Sequence, residues 1–312
     1  MLVSVIIPAR NAAATLERTL EAVMAQDLEE PYEVVVVDDN STDETARIVS
    51  EAPGVTMTRN AGPPFAGAAR NSGAGAATGA ILAFTDSDCY PRPDWLRRGV
   101  AAIAGVDLLQ GAVQPDPSVR PMPFDRSVWV VAEVGLYETA NLFVRRAAFD
   151  AVGGFEDWRA VQTGRPLAED VWLGWRLRRS GATTSFSQDT LVYHEVFRRG
   201  FLEYASERFR LRYFPEIVQK MPELRKSLLF GRVFLSKRTA AFDLALAGVA
   251  SATVTGSPWL LLALLPYGWS AVRRARPWGR LAPKVALGEG IADLVGAAAL
   301  LAGSMRRRAI VL

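Results

Sequence analysis

Short apolar runs that end in proline or acid recur along the front of this 312-residue chain. Residues 2–7 are apolar apart from Ser4 and closed by Pro8, residues 33–37 end in Asp38-Asp39-Asn40, and residues 81–85 end in Asp86-Ser87-Asp88. Each run has the length and β-branched content of a buried strand. Between them lie helical stretches. Asn11 is placed to cap a helix through Gln26, with Leu16, Leu20, Val23 and Met24 on one stripe. Ser41-Thr42-Asp43-Glu44 fits a capping box that opens another, and residues 55–58 form a short further strand. Strands alternating with helices predict an α/β fold, a mostly parallel central sheet flanked by helices. Ligands of such sheets sit outside the carboxyl ends of the strands. Pro8, Asp38, Asp39, Asp86 and Asp88 all fall there.

Asp86 and Asp88 are two residues apart, so in an extended segment they project to one face. Two hard oxygen ligands at that point suit Mg²⁺ or Mn²⁺ held together with substrate phosphates. An acidic, solvated turn after a strand would carry the same residues, and Cys89-Tyr90-Pro91 reads as turn-forming.

Several function classes drop out early. The single cysteine, Cys89, allows no internal disulfide framework and no Cys-rich zinc site, and reads as packing. The single histidine, His194, confines any Ser-His-Asp chemistry to its own surroundings. Residues 73–79 are glycine-rich, but they precede a strand where a dinucleotide fingerprint must follow one, and their spacing misses G-x-G-x-x-G. They suit close helix packing instead. The first residues run straight into a strand with no basic region ahead of them, which predicts a cytosolic front rather than a signal peptide.

The middle of the chain is less regular. Asp94 starts a helix to about Ala104, residues 106–113 form a strand, and residues 115–123 are a proline-rich surface connection. Ala140-Asn141-Leu142-Phe143-Val144, Arg145-Arg146 and Gly153-Gly154-Phe155 read as strand, helix and glycine turn. Glu169-Asp170 opens an amphipathic helix, its acids favoured by the helix dipole. Residues 183–193 are strand-like and lead to His194.

Taken together, Ser4-Val5-Ile6-Ile7-Pro8, Val36-Val37-Asp38-Asp39-Asn40-Ser41-Thr42-Asp43, Ala69-Arg70-Asn71-Ser72-Gly73, Phe84-Thr85-Asp86-Ser87-Asp88, the Ala140–Arg146 stretch, Gly153-Gly154-Phe155 and Glu169-Asp170 stand in a specific order. In that order and spacing, residues 1–200 resemble the nucleotide-sugar-dependent glycosyltransferases of family 2, which have the A-type glycosyltransferase fold. The resemblance implies transfer from an activated sugar donor with inversion at the anomeric carbon. Asp88 would then be a direct ligand of Mg²⁺ or Mn²⁺, with Asp86 at the ribose or metal edge and His194 completing the metal shell. Asp39, with Asp38 beside it, would read the nucleotide base against the Pro8-Ala9-Arg10 backbone, and Arg70 would neutralise the nucleotide. Asp170 would be the base that takes the acceptor's proton, assisted by Glu169. Gly154, Trp158 and Trp172 would lie on the acceptor side, although core packing serves Trp172 equally well. The Gln-x-x-Arg-Trp stretch of processive synthases is missing, since only Glu207-Arg208-Phe209-Arg210 follows the base. That implies transfer of one or a few sugars.

Half of the residues are hydrophobic, and the excess lies late. Residues 201–238 interleave arginines and lysines with aromatics, as basic amphipathic helices on anionic headgroups do. No nucleic-acid-binding module accompanies them. Residues 239–312 are hydrophobic and flanked by basic clusters, a pattern of membrane-associated helices. Residues 240–272 fit either a tight hairpin or one span kinked at Gly256-Ser257-Pro258. Buried soluble helices are the competing account. The expected activity is transfer to a lipid-linked or cell-envelope glycan acceptor on the cytoplasmic membrane face. A polyprenyl-phosphate sugar synthase and a catalytically silent membrane scaffold are the alternatives. A sugar-nucleotide pyrophosphorylase would need a Gly-rich basic loop that Pro8-Ala9-Arg10-Asn11 lacks.

Overall fold

The computed structural model describes residues 3–158 and 167–312, so Leu2 of the first expected strand lies outside it. Two compact units divide the chain, one of Met1–Arg120 with Ser127–Val196 and one of Pro121–Arg126 with Phe197–Leu312.

The first unit is built on a sheet of eight strands: β1 (Val3–Ala9), β2 (Tyr32–Asp38), β3 (Val55–Arg59), β4 (Ile81–Phe84), β5 (Cys89–Pro91), β6 (Leu108–Pro115), β7 (Leu142–Arg145) and β8 (Thr184–His194). Their order is β3-β2-β1-β4-β7-β6-β8-β5. β1 to β4 pair in parallel, and so do β6 and β8, while β7 and β5 run against their neighbours. The sheet is therefore mixed, with its parallel half at the front as the strand–helix alternation requires. Helices α1 (Leu16–Met24), α2 (Thr45–Glu51), α3 (Ala66–Ala76), α4 (Trp95–Ala102), α5 (Arg146–Ala151) and α6 (Glu169–Arg179) complete the unit.

The glycine-rich stretch is α3, and it packs as its composition suggests. A methyl added at Gly73 would lie 2.6 Å from Ile6 Cγ2 and 2.8 Å from Val37 Cγ2, so only glycine lets this helix rest on β1 and β2. Buried Asn141 ties the other half together. Its Oδ1 accepts from Trp95 Nε1 at 2.9 Å, and its Nδ2 donates to the carbonyls of Ala112 and Thr190. These bonds satisfy backbone next to the register shift between Gly111 and Ala112, where the β6–β8 ladder is interrupted.

Three local expectations are corrected. Asn11 does not cap α1. It sits at φ +50°, and its Oδ1 accepts from the Thr42 amide and hydroxyl, so α1 begins only at Leu16. The residues 41–44 form no capping box, because Asp43 takes the role instead: its carboxylate accepts from the Thr45 amide and hydroxyl and from Ala13 N. Cys89-Tyr90-Pro91 is a strand rather than a turn, paired antiparallel to β8 with Cys89 opposite His194.

The second unit is helical: α7 (Phe201–Glu207), α8 (Phe214–Lys220), α9 (Leu224–Ser227), α10 (Lys237–Thr255), α11 (Leu265–Ala275) and α12 (Ala282–Arg307), with 3₁₀ turns at Arg208–Tyr213, Pro258–Leu264 and Arg276–Leu281. Residues 240–272 are a hairpin. α10 ends at Gly256, φ +72°, and packs back against Pro258–Leu264 and α11. Pro258–Arg307 is apolar and long enough to cross a membrane by length and composition, with 33% of its most apolar window buried. That stretch bends at Gly279, whose φ of 54° and ψ of −119° are not helical.

Candidate active site

The carboxyl ends of β1, β2 and β4 and the end of β8 open onto one cavity of about 390 Å³. Pro8, Ala9, Arg10, Asp39, Arg70, Asp86, Asp88 and His194 all line it. Asp38 does not. Its Oδ1 accepts from Ser41 N at 3.0 Å and shapes the turn after β2, which leaves Asp39 to face the cavity. Asp39 is held by its own amide, which donates to the Ala9 carbonyl at 2.8 Å. Its Oδ1 accepts from Asn60 Nδ2 at 2.6 Å. The exposed Arg10 guanidinium stands 3.9 Å from Asp39 Oδ2.

Strand pairing brings Asp88 and His194 together. His194 Nε2 lies 3.6 Å from Asp88 Oδ1, and the Glu195 amide donates to the Asp88 carbonyl at 2.9 Å. The other ring nitrogen, Nδ1, is 2.7 Å from the Glu195 carbonyl oxygen. A carbonyl only accepts, so Nδ1 carries a hydrogen, and in the neutral ring Nε2 is the nitrogen left with a lone pair on the Asp88 side. With buried Cys89 included, the three potential ligand atoms lie within 4.8 Å of one another. Burial and the charges of Asp86 and Asp88 push the Cys89 thiol well up, which keeps it a neutral packing group.

Arg70 links two carboxylates. It is buried on α3, with Nη2 2.7 Å from Asp86 Oδ1 and Nη1 3.3 Å from Glu169 Oε1. Glu169 and Asp170 form the first turn of α6, as the sequence predicts. Burial, reinforced by the Glu169 charge, raises Asp170 well above the ordinary carboxylate range, and the Val171 amide and Arg70 only partly offset it. A base with a raised pKa is a stronger proton acceptor.

Asp157 belongs to the same acidic group and sequence reasoning missed it. It follows the Gly153-Gly154 turn and packs against the start of α3, where a methyl at Gly67 would meet its Oδ1 at 3.0 Å and Glu169 Cγ at 3.2 Å. Burial and then the Glu169 charge raise it to about 6. The signal was an acid three residues past a double glycine, but nothing local tied it to Glu169. Buried Glu138 is likewise raised by burial, and its charge acts on Asp170.

The residues expected on the acceptor side take different positions. Gly154, at φ +71°, is clamped beneath Asn71, whose side chain donates to the Phe155 carbonyl and accepts from its amide, both at 2.8 Å. Trp172 is buried, its Nε1 donating to Glu156 Oε2 at 2.9 Å, with Arg176 and Arg179 stacked on its ring. Trp158 is half-buried.

A cavity-facing acid after β2, an Asp-x-Asp after β4 and an acid at the head of a later helix stand together on an α/β sheet, and comparison with known proteins shows which family has this arrangement. The glycosyl transferase family 2 model matches residues 4–120. Over 224 residues the chain is 33% identical to the glycosyltransferase AglE of Haloferax volcanii, covering 67% of this chain and 71% of that protein. The chain belongs to glycosyl transferase family 2 and is a transferase that uses a nucleotide-sugar donor. Solved structures agree on the fold. The mannosyltransferase PcManGT of Pyrobaculum calidifontis, in complex with GDP-Man and Mn²⁺, superposes with a TM-score of 0.63 at 21% identity, covering 95% of this chain and 86% of that one. Residues 1–349 of TarS from S. aureus, in complex with UDP-GlcNAc, give 0.50 at 19% identity, covering 99% and 93%.

Proposed function

We propose that this transferase is inverting and metal-dependent, and that it passes the sugar to a lipid-linked or cell-envelope glycan acceptor at the cytoplasmic face of a membrane. The observation that carries the reading is the cavity joining Asp39, Asp86, Asp88 and His194, with Arg70 reaching from it to Glu169 beside Asp170. The donor set fits a divalent ion. A carboxylate and the Nε2 of a neutral imidazole whose Nδ1 hydrogen is held by a backbone carbonyl suit Mn²⁺ or Mg²⁺. When bound, the ion offsets the negative charge that gathers on a departing nucleoside diphosphate.

The chain's own groups supply the rest. Asp39 accepts a ring N–H of the base, and the Pro8-Ala9-Arg10 backbone walls it in. Arg70 holds Asp86 toward the diphosphate end of the cavity. Asp170 takes the acceptor hydroxyl's proton as the oxygen bonds to the anomeric carbon and the bond to the diphosphate breaks. One displacement of that kind inverts the centre. Residues 1–200 are the catalytic region in this reading, residues 201–238 the basic segment facing headgroups and residues 239–312 the membrane-associated part. The exposed apolar side chains of the second unit, Trp259 and Trp269 among them, support the last assignment.

Screening nucleotide sugars by thermal shift with and without Mn²⁺ tests the site. One donor should raise the melting temperature only when the ion is present, because a ligand of the native state alone stabilises it. Equal stabilisation with and without ion would remove the metal from the mechanism. The anomeric configuration of the transferred sugar, read by NMR, decides inversion.

A further inference from the structure

We infer that the α10–α11 hairpin is the part of the chain that enters the membrane, and that α12, the longest apolar helix, stays out of the hydrocarbon. This rests on the membrane reading above and decides which element does the inserting.

Sequence hydropathy nominates the stretch containing α12 as the span. Its packing argues otherwise. One face of α12 is seated on the basic aromatic segment along nearly its whole length. A methyl at Gly288 would lie 3.1 Å from Phe201 Cδ2, one at Gly296 3.2 Å from Leu211 Cδ1, and one at Gly303 would run into the Arg212 carbonyl oxygen. Arg307 then pairs with buried Glu216 at 2.8 Å. The elements so contacted carry Arg208, Arg210 and Arg212, whose charges are costly in hydrocarbon and settle at headgroup depth. A helix packed that closely on them shares their depth.

The hairpin has the opposite character. No charged residue lies between Asp243 and Arg273. The charge-free part of α10, residues 244–255, has 12 residues, about 18 Å at ~1.5 Å per residue, so it reaches into a hydrocarbon layer of roughly 30 Å without crossing it. Its arms touch closely at Gly248, where a methyl would lie 2.5 Å from Ala263 Cβ. Its outer surface is bare: Val254 is 86%, Trp259 77% and Trp269 74% exposed.

Charge marks where the hairpin stops. At its base, Arg238 Nε meets Asp293 Oδ2 at 2.8 Å and Arg274 Nε meets Glu289 Oε2 at 2.7 Å, with Arg238 Nη2 3.4 Å from the same Glu289 oxygen. Tyr267 OH donates to Asp293 Oδ2 at 2.8 Å. Glu289 thus meets the first turn of α10 and the last of α11, and Asp293 meets the first turn of α10 and Tyr267 near the start of α11. Lys237, Arg273, Arg276, Arg280 and Lys284 flank these pairs in the sequence. The ion pairs form a collar at the headgroups. Beyond Asp243 the hairpin carries no charge until Arg273, while α12 lies along the basic segment. Both ends of the hairpin and the end of α12 then share one side of the membrane.

Single cysteines in the full chain test this with a membrane-impermeant maleimide on sealed vesicles of either orientation. The native Cys89 is fully buried, so the unsubstituted chain gives the background. Arg276→Cys and Met305→Cys should label from the same side, and Val254→Cys should lose labelling from that side until detergent is added. Labelling of Met305→Cys only from the side opposite Arg276→Cys would make α12 a span and overturn the inference. Labelling of Val254→Cys as fast as Arg276→Cys without detergent would show a hairpin outside the bilayer and overturn it as well. Release of the unsubstituted chain from membranes by alkaline carbonate would refute the membrane reading itself, whatever the labelling pattern.

Discussion

Arg70 on α3 and Asp86 after β4 are joined at 2.7 Å, and the guanidinium is almost completely buried. The same cation is 3.3 Å from Glu169. Asp170 and Asp157 feel both the Glu169 charge, which raises them, and the Arg70 charge, which lowers them. Removing Arg70 therefore strands several acids at once. Breaking a buried pair by deleting one partner typically costs about 3–5 kcal/mol. Arg70→Met should show a loss of that order in urea unfolding, and Glu169→Gln in the same background should recover part of it. An Arg70→Met chain as stable as the parent would show that the acids are discharged by other means.

Asp88→Ala should remove Mn²⁺-dependent nucleotide binding, and chelation of the parent chain should mimic it. His194→Gln should weaken the ion's effect without abolishing it, since Asp88 remains. Isothermal titration with nucleotide, run with and without Mn²⁺, reads both. Undiminished ion dependence in Asp88→Ala would take that carboxylate out of the metal site.

Asp170→Asn should lower kcat by roughly 10²–10⁴-fold, the usual worth of a positioned general base, while donor affinity stays within error. The raised pKa adds a pH signature. The base acts only when ionised, so kcat/KM should climb with pH through a midpoint above that of a free aspartate. A substituted enzyme that keeps the parent's turnover would exclude Asp170 as the base.

Asp157 makes a stability prediction of opposite sense to a salt-bridged acid. Its folded-state pKa of about 6 lies above the unfolded value, so between the two the native state binds more protons than the unfolded one. Stability should then fall as pH rises from about 4 to about 6 and level off above. Asp157→Asn can still accept from the Ala68 amide and carries no charge. At pH 7.5 it should melt about 2–4 °C higher, for roughly 1 kcal/mol recovered after allowance for solvent screening. Below pH 4 the two chains should coincide. Calorimetry across that range decides it, and a pH-independent difference would refute the charge account.

Gly73→Ala should destabilise by about 1–3 kcal/mol, because the added methyl overlaps Ile6 and Val37 and the core has no room to relax. Gly75→Ala, two residues on, meets nothing within 4 Å and should be neutral or slightly stabilising. Equal effects at the two positions in denaturant unfolding would contradict the close helix–sheet approach.

The apolar runs of β1, β2 and β4 were legible because a buried parallel strand has a local signature, and the acids that end them were found with them. Asp38 and Asp39 needed more care. Adjacent residues of an extended chain face opposite ways, so only one of the pair faces the cavity, and the other is spent on the Ser41 turn. β5 was misread because three residues carry too little pattern to outweigh a proline, and its strand character comes entirely from β8. Asp157 was invisible for the same kind of reason, since its meaning lies in a contact with α3 and Glu169 rather than in its neighbours. In the second unit, hydropathy identified apolar helices correctly but not which surfaces they spend on one another.

The pairing of Cys89 with His194 has a consequence for how the enzyme comes to exist. The two candidate ligands of one ion arrive from strands about a hundred residues apart, and the later strand is among the last parts of the first unit to be synthesised. Until β8 docks, the nucleotide wall can form but the ion has half a seat. Affinity for the ion thus measures how completely the domain has closed. A divalent cation captured there would in turn hold the last strand in place. On the metal-dependent mechanism proposed above, a nascent chain could bind the nucleotide before β8 docks, but transfer would begin only once that last strand is in place.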